Sequence, residues 1–383
     1  MILIKNAKIH TMTGQNLERG DILIDGDKIQ QVAPEIDAPN AQVIDATGLT
    51  AMPGIIDAHC HVGMWEDGMG EEGADGNECV DPISPELRAI DGINPFDRCF
   101  EEARENGITT VVTGPGSANV IGGQFVALNT VGDTIEDMII KEPLALKIAF
   151  GENPKGVYSE QKKSPSTRMA TAAMLRQALI DAQEYEKAIL RAQQKEDENP
   201  PERDLQKEIL VKALHREILV KAHAHRADDI LTAIRIGKEF NLDLSIEHCT
   251  EGHLIAQQLK KENVKIILGP LITERCKIEL KNLTFEAPRK LYEQGIEFAI
   301  MTDHPVIPTQ YLPVCAAICV RYGLPEEEAL KAITLNAAKA VGLEDRLGSI
   351  QPGKQADIVL WAGDPLDART KVEQVWIRGQ QVK

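Results

Sequence analysis

Short apolar runs of β type alternate with helical patterns from Pro53 to about Leu343, and this alternation constrains the fold more than any other feature. Such alternation is typical of β–α units built around a parallel sheet. The candidate strands are Gly54–His61, Thr109–Thr113, Phe125–Leu128, Leu144–Phe150, Ile218–His225, Asp243–His248, Val264–Leu268 and Glu297–Thr302. Eight strands suit a closed barrel better than an open sheet, so the sequence predicts an α/β fold of the (β/α)8 TIM-barrel type.

The two ends of the chain carry a different pattern. Short β-rich runs at Ile2–Ile4 and Asp21–Ile24 lie among turn signals, and similar runs return at Ala356–Trp361 and Val375–Gly379. We expect the two ends to fold together into one small composite β-sandwich domain, with the barrel inserted between them. The expected division is residues 1–52 plus 345–383 for the small β domain and residues 53–344 for the barrel.

Composition and charge exclude several classes of partner. No apolar run approaches the roughly 20 residues that a helix needs to cross a bilayer, so we expect no membrane-spanning segment. The formal net charge of -17 at pH 7 would repel phosphate backbones and anionic lipids, which argues against nucleic acid and membrane surfaces as partners. The 7 cysteines lack framework spacing, and the first residues lack the pattern of a signal peptide. We therefore expect a cytoplasmic protein with a small-molecule partner.

The first candidate strand ends in two histidines on one face. Side chains two residues apart in an extended strand point the same way, so His59 and His61 project together. The alternative is a pair of core histidines whose hydrogen bonds are satisfied within the protein. Their place at the C-terminal end of a strand favours a pair of metal ligands instead.

A lysine stands among apolar residues in the fourth candidate strand. Lys147 shares its strand face with Ala145 and Ala149, and a buried ammonium group costs free energy unless its charge is paired or removed. One solution is reaction of the amine with CO2 to a carbamate, an anion whose two oxygens can bridge two metal ions. The other is a buried pair of lysine and carboxylate. Because the strand-end histidines are also present, we favour the carbamate.

Later strands also end in polar residues. His223 and His225 repeat the two-histidine pattern, and we choose His223 as a metal ligand, leaving His225 to contact substrate or to support a ligand. His248 ends the sixth strand, and alone it would be interpreted as a loop residue. Asp303 follows the eighth strand, where a helix cap or turn residue is the alternative. Because barrel active sites are built at the C-terminal ends of the strands, we expect these residues to share one site.

The residue types indicate which metals the site would bind. Neutral imidazoles and carboxylates suit zinc, and manganese, iron, cobalt and nickel accept the same donors. The sequence therefore predicts two divalent metal ions, with zinc as the default.

Three segments resemble the amidohydrolase superfamily, and the resemblance covers essentially the whole chain. They are Met52–His61 and, near the C-terminus, Thr334–Ala338 followed by Gly348–Asp357. The resemblance implies a (β/α)8 barrel with a composite β domain, hydrolysis of a C–N bond and a homo-oligomer. The chain looks closest to the binuclear branch with a carboxylated lysine, among imidazolonepropionase-like and prolidase-like relatives.

The same resemblance assigns metal-site roles residue by residue. The six positions are His59, His61, Lys147, His223, His248 and Asp303. Asp303 would in addition act as the catalytic proton shuttle.

Three alternatives stay open. Arg226 stands where deaminase-type members usually carry an acid, which disfavours a hydrolytic deaminase on the same barrel. Glu152, just past Lys147, could supply the bridging carboxylate instead of the lysine. A non-catalytic scaffold is the third alternative, but such descendants typically lose ligands, and here all six positions hold competent residue types.

Two loops belong to the expected site face. The acidic segment Glu66–Asp81 is interpreted either as a lid that favours cationic groups or as a solvated loop. The glycine-rich segment Gly114–Asn119 could present main-chain N–H groups to an anion, but a simple turn is favoured because the segment lacks a phosphate-binding lysine.

Overall fold

The computed structural model describes residues 1–194 and 199–383. In chain order the strands are β1 (Ile2–Ile9), β2 (Leu17–Asp25), β3 (Lys28–Ala33), β4 (Gln42–Asp45), β5 (Thr50–Pro53), β6 (Ile55–Cys60), β7 (Ile108–Thr113), β8 (Ile121–Asn129), β9 (Ile139–Ala149), β10 (Leu219–Ala224), β11 (Leu244–His248), β12 (Lys265–Leu268), β13 (Ala299–Ile300), β14 (Ile358–Trp361), β15 (Val372–Ile377) and β16 (Gln380–Gln381). The α-helices are α1 (Arg98–Glu105), α2 (Ile135–Met138), α3 (Glu152–Glu160), α4 (Arg168–Gln194), α5 (Leu205–Leu214), α6 (Ala227–Glu239), α7 (Ala256–Glu262), α8 (Ala287–Glu293), α9 (Leu312–Arg321), α10 (Glu326–Ala332) and α11 (Leu335–Ala340).

Eight of these strands form a nearly closed barrel sheet. The hydrogen-bonded order is β6-β7-β8-β9-β10-β11-β12-β13. The two outer strands meet where they end: His61 N donates to His304 O at 2.9 Å, and Asp303 N donates to His59 O at 3.3 Å. The predicted barrel-like α/β fold is therefore confirmed.

One strand departs from the predicted parallel sheet. β8 runs antiparallel to both of its neighbours, with Thr113 opposite Val126 and Phe125 opposite Ala145. Only residues 114–120 separate β7 from β8, too few for the helical crossover of a dozen or more residues that a parallel pair needs. The prediction of a parallel β–α unit is wrong at this strand, and a hairpin stands in its place.

Amphipathic helices cover the outside of the barrel. In α6 the buried residues Ile230, Ala233, Ile234 and Gly237 recur at helical spacing and form one face against the strands. In the long helix α4 the buried residues Leu175, Leu179 and Ala182 form a similar face. Burial of these faces holds the strands in place, so that the positions of their C-terminal ends are fixed.

Strands from both ends of the chain form the second sheet. Its order is β16-β15-β14-β5-β1-β2-β3, and β4 pairs with β1. The two ends join where β14 runs antiparallel to β5, with Trp361 opposite Thr50. The Asp357 carboxylate reinforces this junction because it accepts hydrogen bonds from Arg378 N (2.8 Å) and Gln355 Nε2 (3.0 Å). Strands from the two chain ends therefore share one sheet.

None of the helices in residues 1–194 and 199–383 is both long enough and apolar enough to cross a membrane.

Candidate metal centre

Two histidines and an aspartate meet at the C-terminal ends of β6 and β13. Nε2 of His61 lies 3.3 Å from Oδ1 of Asp303, and Nε2 of His59 lies 3.6 Å from the same oxygen. One ligand atom from each residue lies within 4.8 Å of the other two. We call His59, His61 and Asp303 the first donor group.

Three histidines form a second donor group at the ends of β10 and β11. The ring centroids of His223 and His248 are 4.2 Å apart, and His225 lies 4.8 Å from His223 and 4.4 Å from His248. One ring nitrogen of each lies within 4.8 Å of the others, and all three side chains are buried. The structure therefore brings His223 and His248 together as expected and adds His225, which the sequence interpretation left outside the ligand set.

Lys147 on β9 reaches the first donor group. Its Nζ lies 3.1 Å from Nε2 of His59, and the side chain is 1% exposed. Burial lowers the pKa of Lys147 to about 8, although the charges of Glu247 and Asp303 oppose the shift. Glu152, the alternative bridging residue, begins α3 and reaches the neighbourhood through its main-chain N–H, which donates to Glu279 Oε2 at 3.0 Å.

The ring orientation of two histidines is fixed by main-chain carbonyls. Nδ1 of His61 lies 2.7 Å from Gly114 O, and Nδ1 of His248 lies 2.9 Å from Gly269 O. A carbonyl oxygen only accepts, so each Nδ1 carries the hydrogen and each Nε2 keeps its lone pair. Nδ1 of His223 is buried without a hydrogen-bond partner among the described residues. These nitrogens are thus available to bind a cation.

Burial favours the uncharged form of four imidazoles of the site. It lowers the pKa values of His59, His223 and His248 well below their usual range, and the charges of Lys147 and of the neighbouring histidines add to the effect. It also lowers the pKa of His225 to about 3. The neutral form is the one that binds metal, so the environment favours ligation over protonation.

A buried ion pair lies beneath the first donor group. Oε2 of Glu247 is 2.9 Å from Nδ1 of His59 and 3.0 Å from Nζ of Lys221, and all three side chains are 0% exposed. Both contacts are short but poorly aligned for hydrogen bonding. Lys221 also donates to Ala58 O at 3.0 Å, and Ser245 Oγ donates to Glu247 Oε1.

The sequence interpretation missed this Glu247–Lys221 pair. A buried pair of lysine and carboxylate had been the alternative for Lys147, but the structure places that pair at Lys221, which lies opposite Lys147 in the sheet register. The available signals were the strand parity of Lys221 with His223 and the position of Glu247 next to His248. Neither signal showed that the two side chains would meet across adjacent strands.

A second buried carboxylate supports the position of Asp303. Asp57 accepts hydrogen bonds from the hydroxyl groups of Thr302 and Thr309, the latter at 2.9 Å. Burial raises the pKa of Asp57 to about 6, and these hydrogen bonds oppose the shift. Because Thr302 precedes Asp303, the carboxylate of Asp57 fixes the backbone from which Asp303 projects.

The backbone is strained at three positions of the site. His248 (φ 69°), Cys249 (φ 49°) and Asp303 (φ 56°) lie in the left-handed region, which side chains other than glycine adopt at a cost of order 1–3 kcal/mol each. Such strain clusters where function requires a fixed geometry, and here it sets the direction of His248 and Asp303.

The acidic segment Glu66–Asp81 and the glycine-rich segment Gly114–Asn119 contact each other beside the site. Asn77 of the acidic segment accepts a hydrogen bond from Ala118 N at 3.1 Å, and Gly116 N donates to Gly76 O at 2.7 Å. These N–H groups are occupied, so the turn interpretation of Gly114–Asn119 agrees better with the structure than an anion site. Trp65, just before the acidic segment, packs edge-on against His61 with centroids 5.0 Å apart.

The chain is similar to known amidohydrolases in both sequence and structure. The sequence model of the amidohydrolase family matches residues 50–382. The structure of an amidohydrolase from Thermotoga maritima MSB8 superposes with a TM-score of 0.97 at 45% identity, over 100% of both chains. Amidohydrolase tasK of Hapsidospora irregularis is 31% identical over 394 residues, which cover 94% of this chain but 39% of that relative. An imidazolonepropionase of Symbiobacterium thermophilum is 26% identical over 342 residues, covering 84% of this chain and 77% of that relative.

Proposed function

Because the chain belongs to the amidohydrolase family, we propose that it is a metal-dependent hydrolase that cleaves a C–N bond in a small amide, cyclic amide or peptide-like substrate. The observation that carries the proposal is the meeting of two buried donor groups at one end of the barrel. The first group offers two imidazoles and a carboxylate, the second offers three imidazoles, and Lys147 contacts the first.

The donor atoms fit two divalent ions. His59, His61 and Asp303 would hold one ion, and His223 and His248 would hold the other. The free Nε2 atoms of His61 and His248 and the unpartnered Nδ1 of His223, judged over the described residues, support this assignment. Nitrogen and carboxylate oxygen donors suit zinc, which we take as the metal.

Lys147 would join the two positions as a carbamate. A pKa of about 8 leaves about one amine in ten uncharged at pH 7, compared with far fewer for an exposed lysine. The uncharged amine forms an N–C bond with CO2 and releases a proton to water. The product carries a negative charge where several neutral rings surround the amine, and two cations would stabilise that charge.

Asp303 is suited to move the proton of the reaction. Divalent ions bound here would lower the pKa of a water molecule and polarise the scissile carbonyl. Asp303 accepts a proton from the attacking water and returns it to the leaving nitrogen. A C–O bond forms as the C–N bond breaks, and the products are a carboxylic acid and an amine. The side chain of Asp303 is 14% exposed, so it remains open towards a substrate.

The test combines metal analysis with a substrate panel. Purified protein is analysed for metal per chain beside Lys147→Ala and, as a matched control, Lys141→Ala, an exposed lysine of the same strand. About two ions per chain in the wild type and in Lys141→Ala, and far fewer in Lys147→Ala, would support the proposal. One ion that the Lys147 change leaves unaffected would contradict the bridging lysine.

Product analysis separates the two hydrolytic chemistries. Amides, cyclic amides and dipeptides are supplied, and the new carboxylate and amine are quantified together with ammonia. Release of ammonia without a new carboxylate would instead support a hydrolytic deaminase. No turnover and no bound metal after supplementation would favour a scaffold protein.

Three further expectations accompany this proposal. The small β domain of residues 1–52 plus 345–383 folds as a sandwich beside the barrel of residues 53–344. The protein acts as a homo-oligomer. Its substrate is a small molecule, and neither nucleic acid nor a membrane is its partner.

A further inference from the structure

His225 occupies a position that a simple supporting role does not explain. It follows β10 two residues after His223, is 5% exposed, and lies with its ring centroid 4.4 Å from His248. Its Nδ1 contacts Thr250 Oγ1 at 2.8 Å. This contact holds the ring in place, and the other ring nitrogen is directed elsewhere.

The other nitrogen of His225 faces a buried carboxylate with an unsatisfied oxygen. Nε2 of His225 lies 3.7 Å from Oε1 of Glu279, too far for a hydrogen bond. Glu279 is 1% exposed, and its Oε2 accepts from Glu152 N, whereas its Oε1 has no hydrogen-bond partner in the part of the chain described. Burying a carboxylate oxygen without a hydrogen-bond partner costs free energy, and a cation bound by His225 would offset part of that cost.

Three close imidazoles also require an explanation. Ring nitrogens of His223, His225 and His248 lie mutually within 4.8 Å, and all three side chains are buried. Three imidazole ligands and one open position form a common catalytic zinc site, and the same set can be completed by a bridging anion.

We propose that His225 is a third imidazole ligand of the second metal position, together with His223 and His248, and that Glu279 is the outer carboxylate that balances the charge there. This inference rests on the proposed metal-dependent function. It assigns His225 a ligand role in place of the substrate contact or the supporting role that the sequence left open. The first position keeps His59, His61 and Asp303, so the two positions differ in the number of histidines.

The first test measures metal content and affinity, which do not depend on knowing the substrate. His225→Gln, Glu279→Gln and the control His253→Gln are loaded with zinc and dialysed against a graded series of chelator concentrations. His253 lies on a neighbouring loop with its Nδ1 on Thr250 O, outside both donor groups. We expect His225→Gln to lose one of two ions, or to hold it more than 100-fold more weakly, and His253→Gln to behave as the wild type. Glu279→Gln should keep both ions with about 10–100-fold weaker binding of one.

A second variant keeps the test decisive should His225→Gln fail to fold. In His225→Cys loaded with cobalt(II), a thiolate bound to the metal gives a near-ultraviolet charge-transfer band that is absent from the wild type and from His253→Cys. The band supports a ligand role for position 225, and its absence from a cobalt-loaded protein overturns it. Two zinc ions bound to His225→Gln with wild-type affinity would overturn the inference but leave the proposed function standing. No metal in the supplemented wild type would overturn both.

Discussion

Oε2 of Glu247 lies 2.9 Å from Nδ1 of His59, with both side chains fully buried beneath the first donor group. The carboxylate occupies the side of the ring opposite to Asp303 and Lys147, whose polar atoms face Nε2. A carboxylate behind a histidine ligand fixes the orientation of the ring and increases its basicity. We therefore expect Glu247 to support a metal site without contacting substrate.

Neutralising Glu247 is expected to affect both folding and metal binding. Glu247→Gln leaves the ammonium group of Lys221 buried without its counter-charge, and breaking such a pair costs about 3–5 kcal/mol. It also removes the anion behind His59, which is expected to weaken metal binding by about 10–100-fold. Urea unfolding of the metal-free protein and chelator competition measure the two effects separately.

The double variant Glu247→Gln, Lys221→Met separates the two roles. Removing the stranded ammonium group should restore much of the stability, whereas metal binding should remain weak because the ring of His59 is still unsupported. A double variant as unstable as the single one would show that the ion pair is not the source of the loss.

Substitution of Asp303 tests the proton shuttle. Asp303→Asn should fold, because asparagine tolerates the left-handed backbone found there (φ 56°). Turnover of a substrate found in the panel should fall by about 10²–10⁴-fold, since the amide cannot accept the proton. The measurement is kcat at saturating metal, and a variant that retains both metal and full turnover would remove this role from Asp303.

Metal removal should lower thermal stability. Ions that bind the folded chain but not the unfolded one stabilise it by about 2.7 kcal/mol when their concentration is 100 times Kd. We expect chelator to lower Tm by several degrees and added zinc to restore it, as followed by circular dichroism. In Lys147→Ala the shift should be smaller, and an equal shift in both proteins would argue against a bridging lysine.

Asp357 should make stability fall as pH rises. Burial raises the pKa of Asp357 from 3.8 to about 6, so the folded state binds a proton that the unfolded state releases between these values. The contribution is present below pH 4 and is lost as pH rises through 6, about 3 kcal/mol in total. The unfolding free energy of the wild type minus that of Asp357→Asn should follow this course between pH 4 and 7. A difference that does not change with pH would disprove the assignment.

Two glycines of one segment should respond in opposite directions to alanine. Gly151 has φ +83°, and an added Cβ would lie 2.8 Å from Glu279 Oε2, so Gly151→Ala should destabilise by about 1–3 kcal/mol. Gly156 lies inside α3, where no described atom stands within 4 Å of an added Cβ. Gly156→Ala should therefore stabilise by roughly 0.5–1 kcal/mol. Denaturant midpoints of the two variants measure the difference, and equal shifts would contradict the account.

The sequence predicted where the polar residues would gather because that follows from topology alone. The C-terminal ends of parallel strands share one face of a barrel, so His59, Lys147, His223, His248 and Asp303 could be placed together without knowing any side-chain conformation. Their roles as ligands stay a prediction. Strand parity placed His223 and His225 on one face but did not reveal that both would approach His248.

The sequence pattern could not predict contacts between strands or the direction of a strand. The meeting of Glu247 with Lys221 and His59 depends on sheet register and side-chain reach, which no local pattern specifies. The reversal of β8 escaped because an apolar strand has the same periodicity in either direction. The predicted connection of residues 114–124 was the available signal, since it is shorter than the dozen or more residues that a helical crossover needs.

The hairpin of β7 and β8 limits how this barrel can diversify in evolution. Its turn lies on the site face, where Gly114 O fixes the ring of His61 and the N–H groups of Gly116 and Ala118 bind the neighbouring loop. After an ordinary barrel strand, a loop can lengthen without moving the strands. A longer turn here would disturb two strand pairs and one histidine together. New substrate preferences are therefore expected to arise through insertions after other strands. The length of this turn is expected to stay constant.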